Sequence, residues 1–168
     1  VLDDNPVAQA PNADIRSRRT PAEELAFGLQ QIEDALVARD PDNVAAIFLE
    51  PISGASTAAV VPPDGYLEGV RALCDRYNVL MICDEVATGI GRTGKMWAVD
   101  HAGITPDLMT CGKGLTGGYL PMSAVLTTDP VYEAFLGSAE SGRTFFHGHS
   151  YTANPLCAAA AIANLDLM

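Results

Sequence analysis

Positive charge is scarce in this chain: 10 Lys and Arg stand against 21 Asp and Glu, for a formal net charge of −11. Phosphate-rich partners are met by clustered Lys and Arg, so this balance argues against a nucleic acid or an anionic membrane as partner. Cysteine is sparse as well. Cys74, Cys83, Cys111 and Cys157 are far apart, lie in apolar stretches and form no C-x-x-C pair. The spacing argues against a disulfide framework or a thiolate metal site and predicts reduced, buried thiols. The three histidines, His101, His147 and His149, are too scattered to suggest metal ligation, and no metal is expected. No apolar run approaches the ~18 residues of a membrane helix, and no basic-then-apolar leader opens the chain, so the default expectation is a cytoplasmic protein without a membrane partner. Internal repeats, low-complexity tracts and long Pro/Gly/Ser linkers are also missing, which leaves one layered unit rather than two domains.

What is present is a globular composition: 168 residues, 48% of them hydrophobic, enough to bury a core. Residues 1–19 are rich in Asp, Asn, Pro and Arg without periodicity and read as an irregular segment. From residue 20 to 168 the pattern is organised. Thr20-Pro21-Ala22-Glu23 has the form of a capping box, and Leu25, Leu29, Ile32 and Leu36 recur at helical spacing, which predicts a helix to about Arg39. Val44–Leu49 and Val79–Cys83 are uninterrupted apolar runs of the kind found in strands covered on both faces. Between them Asp64 is expected to cap a helix carrying Val70, Leu73, Cys74 and Tyr77, with Asn78 ending it. Further strands are expected at Leu108–Cys111 and Met122–Thr127, with a short helical stretch near Trp97–His101. Strands alternating with helices imply an α/β layered sheet. The last apolar helical pattern, through Leu165, meets no stop signal before Met168, and the chain is expected to be a piece of a longer protein.

Ligands of open α/β sheets lie beyond the carboxyl ends of the strands, where this sequence delivers Glu50, Asp84 and, just after Cys111, Lys113. Lys113 is flanked by Gly112 and Gly114, which would let a planar ligand approach while freeing the amine. A desolvated lysine near other positive charge loses its proton readily and can then attack an aldehyde, although most lysines, taken one at a time, are solvated surface lysines. Asp84 at the end of a buried strand needs a cationic or hydrogen-bonding partner. A protonated pyridine nitrogen would serve, and so would a helix end or an arginine. Arg92 could neutralise a buried carboxylate or hold its own turn.

Several patches in order carry a resemblance. Asp84-Glu85-Val86-Ala87-Thr88-Gly89-Ile90-Gly91-Arg92-Thr93-Gly94 is followed by Pro106-Asp107-Leu108 and Gly112-Lys113-Gly114; Glu50-Pro51 with Gly54 precedes them, and His147-Gly148-His149-Ser150-Tyr151-Thr152-Ala153-Asn154-Pro155 closes the series. From about Val44 to Met168 the chain resembles class III (omega-type, fold type I) pyridoxal-phosphate-dependent aminotransferases. The resemblance implies the large domain of that fold, a three-layer α/β/α unit with a mostly parallel sheet, present in part over residues 20–168. It implies pyridoxal 5′-phosphate as cofactor and a ping-pong transamination between an amino donor and a keto acid, in a homodimer with sites at the subunit interface.

Roles follow by position. Lys113 is expected to form the Schiff base and shuttle the proton, Asp84 to face the ring nitrogen, and Val86 to pack on the ring, where core filling is compatible. Ser150 stands where the family usually has a phosphate-binding threonine that reaches into the partner subunit's site, with Thr152 in reserve. The family's upstream phosphate cradle and its C-terminal small domain cannot be identified, so the 168-residue chain alone is expected to be inactive. Ala55 occupies a place where ornithine and gamma-aminobutyrate enzymes carry glutamate, which disfavours those substrates. Broad omega-amino acid:pyruvate enzymes come first among specificities. Diaminopelargonate (adenosylmethionine-8-amino-7-oxononanoate) aminotransferases follow closely, although Ser53 and Ser56-Thr57 depart from their version of the loop. An aminomutase or decarboxylase on the same scaffold and an inactive assembly domain are the competing readings.

Overall fold

A computed structural model describes residues 8, 18–54 and 59–168. The irregular segment 1–19 therefore falls largely outside the described residues, as do Ala55, Ser56 and Thr57.

Helix α1 spans Pro21–Arg39 and begins as its capping box requires: the Thr20 hydroxyl accepts from the Glu23 N–H at 3.3 Å, and the Glu23 carboxylate accepts from the Thr20 N–H at 2.7 Å. Strand β1 covers Ala46–Leu49. Helix α2 runs Tyr66–Tyr77 and ends at Asn78, which takes the left-handed conformation with φ 52°. Its start differs from expectation. Gly65, itself left-handed at φ 86°, is the N-cap and no side chain caps the helix, so Asp64 does not play that part. The sharp entry from Pro62-Pro63-Asp64 into the helix is made by glycine's backbone rather than by a carboxylate.

Strands β2 (Leu80–Asp84) and β3 (Leu108–Cys111) follow, then β4 (Ala124–Thr127), the short helix α3 (Asp129–Glu133) and α4 (Pro155–Leu165). The sheet order is β1-β2-β3-β4, with β1, β2 and β3 mutually parallel and β4 antiparallel on the end. Because β1, β2 and β3 run the same way, the chain positions that follow their carboxyl ends share one edge, as the strand-end reasoning anticipated for Glu50, Asp84 and Lys113.

Period-two alternation sorts β2 and its continuation onto two faces. Met81, Cys83 and Glu85 are wholly buried, and Met81 and Cys83 join a core with Ile32 and Leu36 of α1 and Val70, Leu73 and Cys74 of α2. Each fully buried aliphatic side chain of this kind is worth about 2 kcal/mol. Ile82, Asp84 and Val86 alternate with them and are half-buried. On that second face the described residues supply little cover, for Phe48 of β1 retains 60% exposure and Val125 of β4 62%. The expectation of strands covered twice is thus met on the α1/α2 side only among the described residues. All four cysteines are buried and unpaired. No helix among the described residues is long and apolar enough to cross a membrane.

Candidate active site

Asp84 is the last residue of β2, and one of its carboxylate oxygens is fully engaged. Oδ1 accepts from the Val86 N–H at 2.9 Å and from the Thr110 hydroxyl at 3.1 Å. Oδ2 makes no hydrogen bond among the described residues, and no cation pairs with the group there. Of the partners considered for Asp84, neither an arginine nor a helix end is what the fold provides. The neighbouring Glu85 points the other way and is fully buried; its Oε1 accepts from the Val99 N–H at 2.9 Å and its Oε2 from the Thr88 hydroxyl. Glu85 is therefore the interior pin of the turn between β2 and the Ala98–His101 segment, while Asp84 serves the open side.

Lys113 opens a 3-10 turn, Lys113–Thr116, directly beyond β3. Its φ is 40°, in the left-handed region that non-glycine residues rarely adopt. Such a conformation costs of order 1–3 kcal/mol and persists where the surroundings hold it. One flanking glycine shows how they do so. A side chain at Gly114 would come within 3.3 Å of Ile90 Cβ, tighter than ordinary packing, whereas one at Gly112 would meet only ordinary contacts. Gly114 thus lets the lysine turn lie close against Ile90. From the far side α4 completes the clamp, where Asn164 Nδ2 donates to the Gly114 carbonyl at 2.9 Å and to that of Leu115 at 3.3 Å. Lys113 itself is exposed, so the desolvation anticipated for it is not provided by the described residues.

The turn borders a cleft of about 1630 Å³ whose lining includes Lys113, Arg92, His147, His149, Thr152 and Asn164 and contains no Asp or Glu. In a chain of net charge −11 this is a locally basic concavity. Arg92 is exposed and forms no ion pair among the described residues, so it neutralises no buried carboxylate. Asp84, Val86 and Ser150 do not line the cleft. Thr152 Oγ1 already accepts from the His149 N–H at 2.9 Å, whereas the Ser150 hydroxyl is exposed without a hydrogen bond among the described residues. The start of α4 is closed by its own cap, because Asn154 Oδ1 accepts from the Leu156 and Cys157 N–H groups at 3.0 and 3.3 Å. That leaves the hydroxyls and the cations of the cleft, rather than the helix end, to meet an anion.

Three residues that hold this arrangement were missed from sequence: Thr110, Asn164 and Glu85. Glu85 had a signal, since the alternation through Met81 and Cys83 carries it inward. Asn164 is the one polar residue in the run Ala158–Leu165. Thr110 had none, because inter-strand register decides it.

The class III aminotransferase profile matches residues 4–168 of this chain, nearly its whole length. The chain belongs to the class III aminotransferase family. Among its relatives, an adenosylmethionine-8-amino-7-oxononanoate aminotransferase of Anoxybacillus flavithermus is 52% identical over 134 residues, 80% of this chain and 30% of that protein. An omega-aminotransferase of Caulobacter vibrioides is 42% identical over 135 residues, again 80% of this chain and 30% of the relative. The solved taurine:2-oxoglutarate aminotransferase from Bifidobacterium kashiwanohense, in complex with PLP and glutamate, superposes with TM-score 0.79 at 40% identity, covering 87% of this chain and 31% of its own. The chain thus spans about a third of the length of the proteins it matches. The family match also begins well upstream of Val44, where the sequence motifs first became legible.

Proposed function

We propose that the encoded protein is a pyridoxal 5′-phosphate-dependent aminotransferase that moves an amino group from an amine or omega-amino acid to a keto acid. The carrying observation is the division of labour at Asp84: Oδ1 is held by Val86 and Thr110, and Oδ2 is left as an acceptor beside an exposed lysine on the adjoining strand end. The residues present fit the cofactor. Asp84 would hold the protonated pyridine nitrogen, Val86 would pack on the ring, and Lys113 would bind the aldehyde carbon covalently. When bound, the cofactor supplies an electron sink for the carbanion left by proton removal. Everything else would fall to the chain: the Asp84 carboxylate would face the ring nitrogen, and the Lys113 Nζ, once released, would take the proton from the substrate's amine-bearing carbon and return it to the cofactor's aldehyde carbon. The basic cleft suits the cofactor phosphate and a carboxylated substrate.

The free hydroxyl of Ser150, outside the cleft of its own chain, supports the reading that it serves the phosphate in a second subunit of a homodimer, with Thr152 as the local hydroxyl. A cytoplasmic location agrees with unpaired cysteines throughout. On specificity, the 52% identity to the adenosylmethionine-8-amino-7-oxononanoate enzyme against 42% to the omega-aminotransferase favours 8-amino-7-oxononanoate as acceptor over a broad omega-amino acid range.

The test uses the protein as its gene encodes it, flanking sequence included. Purified with pyridoxal 5′-phosphate and treated with borohydride, the wild type is expected to carry the cofactor's mass on the peptide containing Lys113. Lys113→Ala is expected to lose that mass and 10²–10⁴-fold in turnover, the usual worth of a positioned proton-transfer group. Labelling of another lysine, or normal turnover in Lys113→Ala, overturns the assignment.

A further inference from the structure

We infer that Thr110 is a positioning residue for Asp84, aiming a single carboxylate oxygen at the cofactor's ring nitrogen; the inference rests on the proposed function above. Asp84 and Thr110 are direct partners in the parallel β2/β3 register and lie on the same, less covered face of the sheet. The torsion that swings a carboxylate is soft and roughly two-fold, so one hydrogen bond fixes it poorly. The Val86 N–H comes from the turn just after Asp84 and moves with it. The Thr110 hydroxyl comes from a separate strand, on a β-branched side chain with a stiff first torsion. Both donate to Oδ1, and two donors saturate the two lone pairs of that oxygen. Oδ2 keeps its acceptor capacity, and the carboxylate plane is set by β3.

The same strand leads within three positions to Lys113, and the Thr110 carbonyl also accepts from the Glu85 N–H at 2.9 Å. Thr110 therefore ties the orientation of Asp84 to the strand that carries the lysine. Removing its hydroxyl leaves Oδ1 with one donor, and the two oxygens then compete for the ring nitrogen.

The experiment compares dissociation constants of the encoded apoprotein for pyridoxal 5′-phosphate and for its 1-deaza analogue, in which C–H replaces the ring nitrogen, in wild type, Thr110→Val, Thr110→Ser and Asp84→Ala. Wild type is expected to prefer the natural cofactor by at least about tenfold, the worth of a charge-assisted hydrogen bond. Thr110→Val is expected to cut that preference about fivefold, with Thr110→Ser restoring it. Equal weakening of both ligands in Thr110→Val, or an unchanged preference, overturns the positioning role while an effect of Asp84→Ala leaves the proposed function standing. No preference in wild type, or none lost in Asp84→Ala, overturns the role of Asp84 and the inference with it. Should Thr110→Val not fold, Thr110→Ala read in the same way decides.

Discussion

Asn164 of α4 donates from its side-chain amide to the carbonyl of Gly114, fifty residues earlier, at 2.9 Å. The bond fastens a helix packed by Ala161 against Cys111 and Leu115 onto the turn that presents Lys113 in a left-handed conformation. Asn164→Ala removes the one side chain seen to hold both the Gly114 and Leu115 carbonyls. A hydrogen bond of this type is worth about 1 kcal/mol net. Hydrogen exchange at the Leu115 and Gly117 amides, which donate within the turn, is expected to accelerate about fivefold while the β1–β3 amides stay unchanged. Uniform acceleration across the sheet would mean that Asn164 supports global stability instead.

Glu85 is the second element of the site frame, and its two oxygens serve two different donors in a fully buried place. Glu85→Ala strands the Val99 N–H and the Thr88 hydroxyl and leaves a void, each unsatisfied group costing about 1–3 kcal/mol. Glu85→Gln keeps an oxygen for Val99, and the Thr88 hydroxyl can turn to accept from the new amide. Thermal unfolding is expected to fall sharply for the alanine variant, by about 3 kcal/mol or more, and by less than half of that for glutamine. Equal losses would refute the two-donor account.

How far these features were legible in sequence follows their range. The α1 start was readable because a capping box is closed within four residues, whereas the apolar run of β2 showed a strand but not that only one of its faces is covered among the described residues. Asp84, Val86 and Lys113 were picked out through motif order, and the parallel strand ends then placed their chain positions on one edge. Asp64 misled because a carboxylate before a helix is a good cap only when the chain enters with extended backbone. Here Gly65 turns left-handed and takes that place. The close packing at Gly114 lay in Ile90, and the partner of Asp84 lay in Thr110. Both depend on which strand is set beside which and in what register. Periodicity within one segment carries no information about that.

The N-terminal end of α1 offers a prediction that leaves the site untouched. Thr20→Ala removes the hydroxyl that accepts from the Glu23 N–H. Loss of such a cap costs about 1 kcal/mol. Urea unfolding is expected to shift to lower midpoint with unchanged slope, and Thr20→Ser is expected to behave as wild type. An unaltered midpoint in Thr20→Ala would mean that α1 frays before the cooperative transition.

The buried thiols give the protein an alkaline limit. Burial pushes Cys74 up to about 11 and Cys83 up to about 12, from an ordinary value of 9.0. The folded state therefore keeps these protons at pH values where the unfolded chain releases them. A group whose folded pKa is raised contributes stability that is whole below its unfolded value and is lost as pH rises toward the folded one. Stability is thus expected to be insensitive to the thiols up to about pH 8.5, and to fall between 9.0 and about 12. Tyr66, raised by burial to about 12 from 10.0, adds to the upper part of that window. Urea unfolding of wild type and Cys83→Ala at pH 8, 9.5 and 10.5 separates the contributions, because alanine has no proton to lose. A shallower decline in Cys83→Ala supports the account. Parallel declines would show that Cys83 ionises no later in the folded protein than in the unfolded chain.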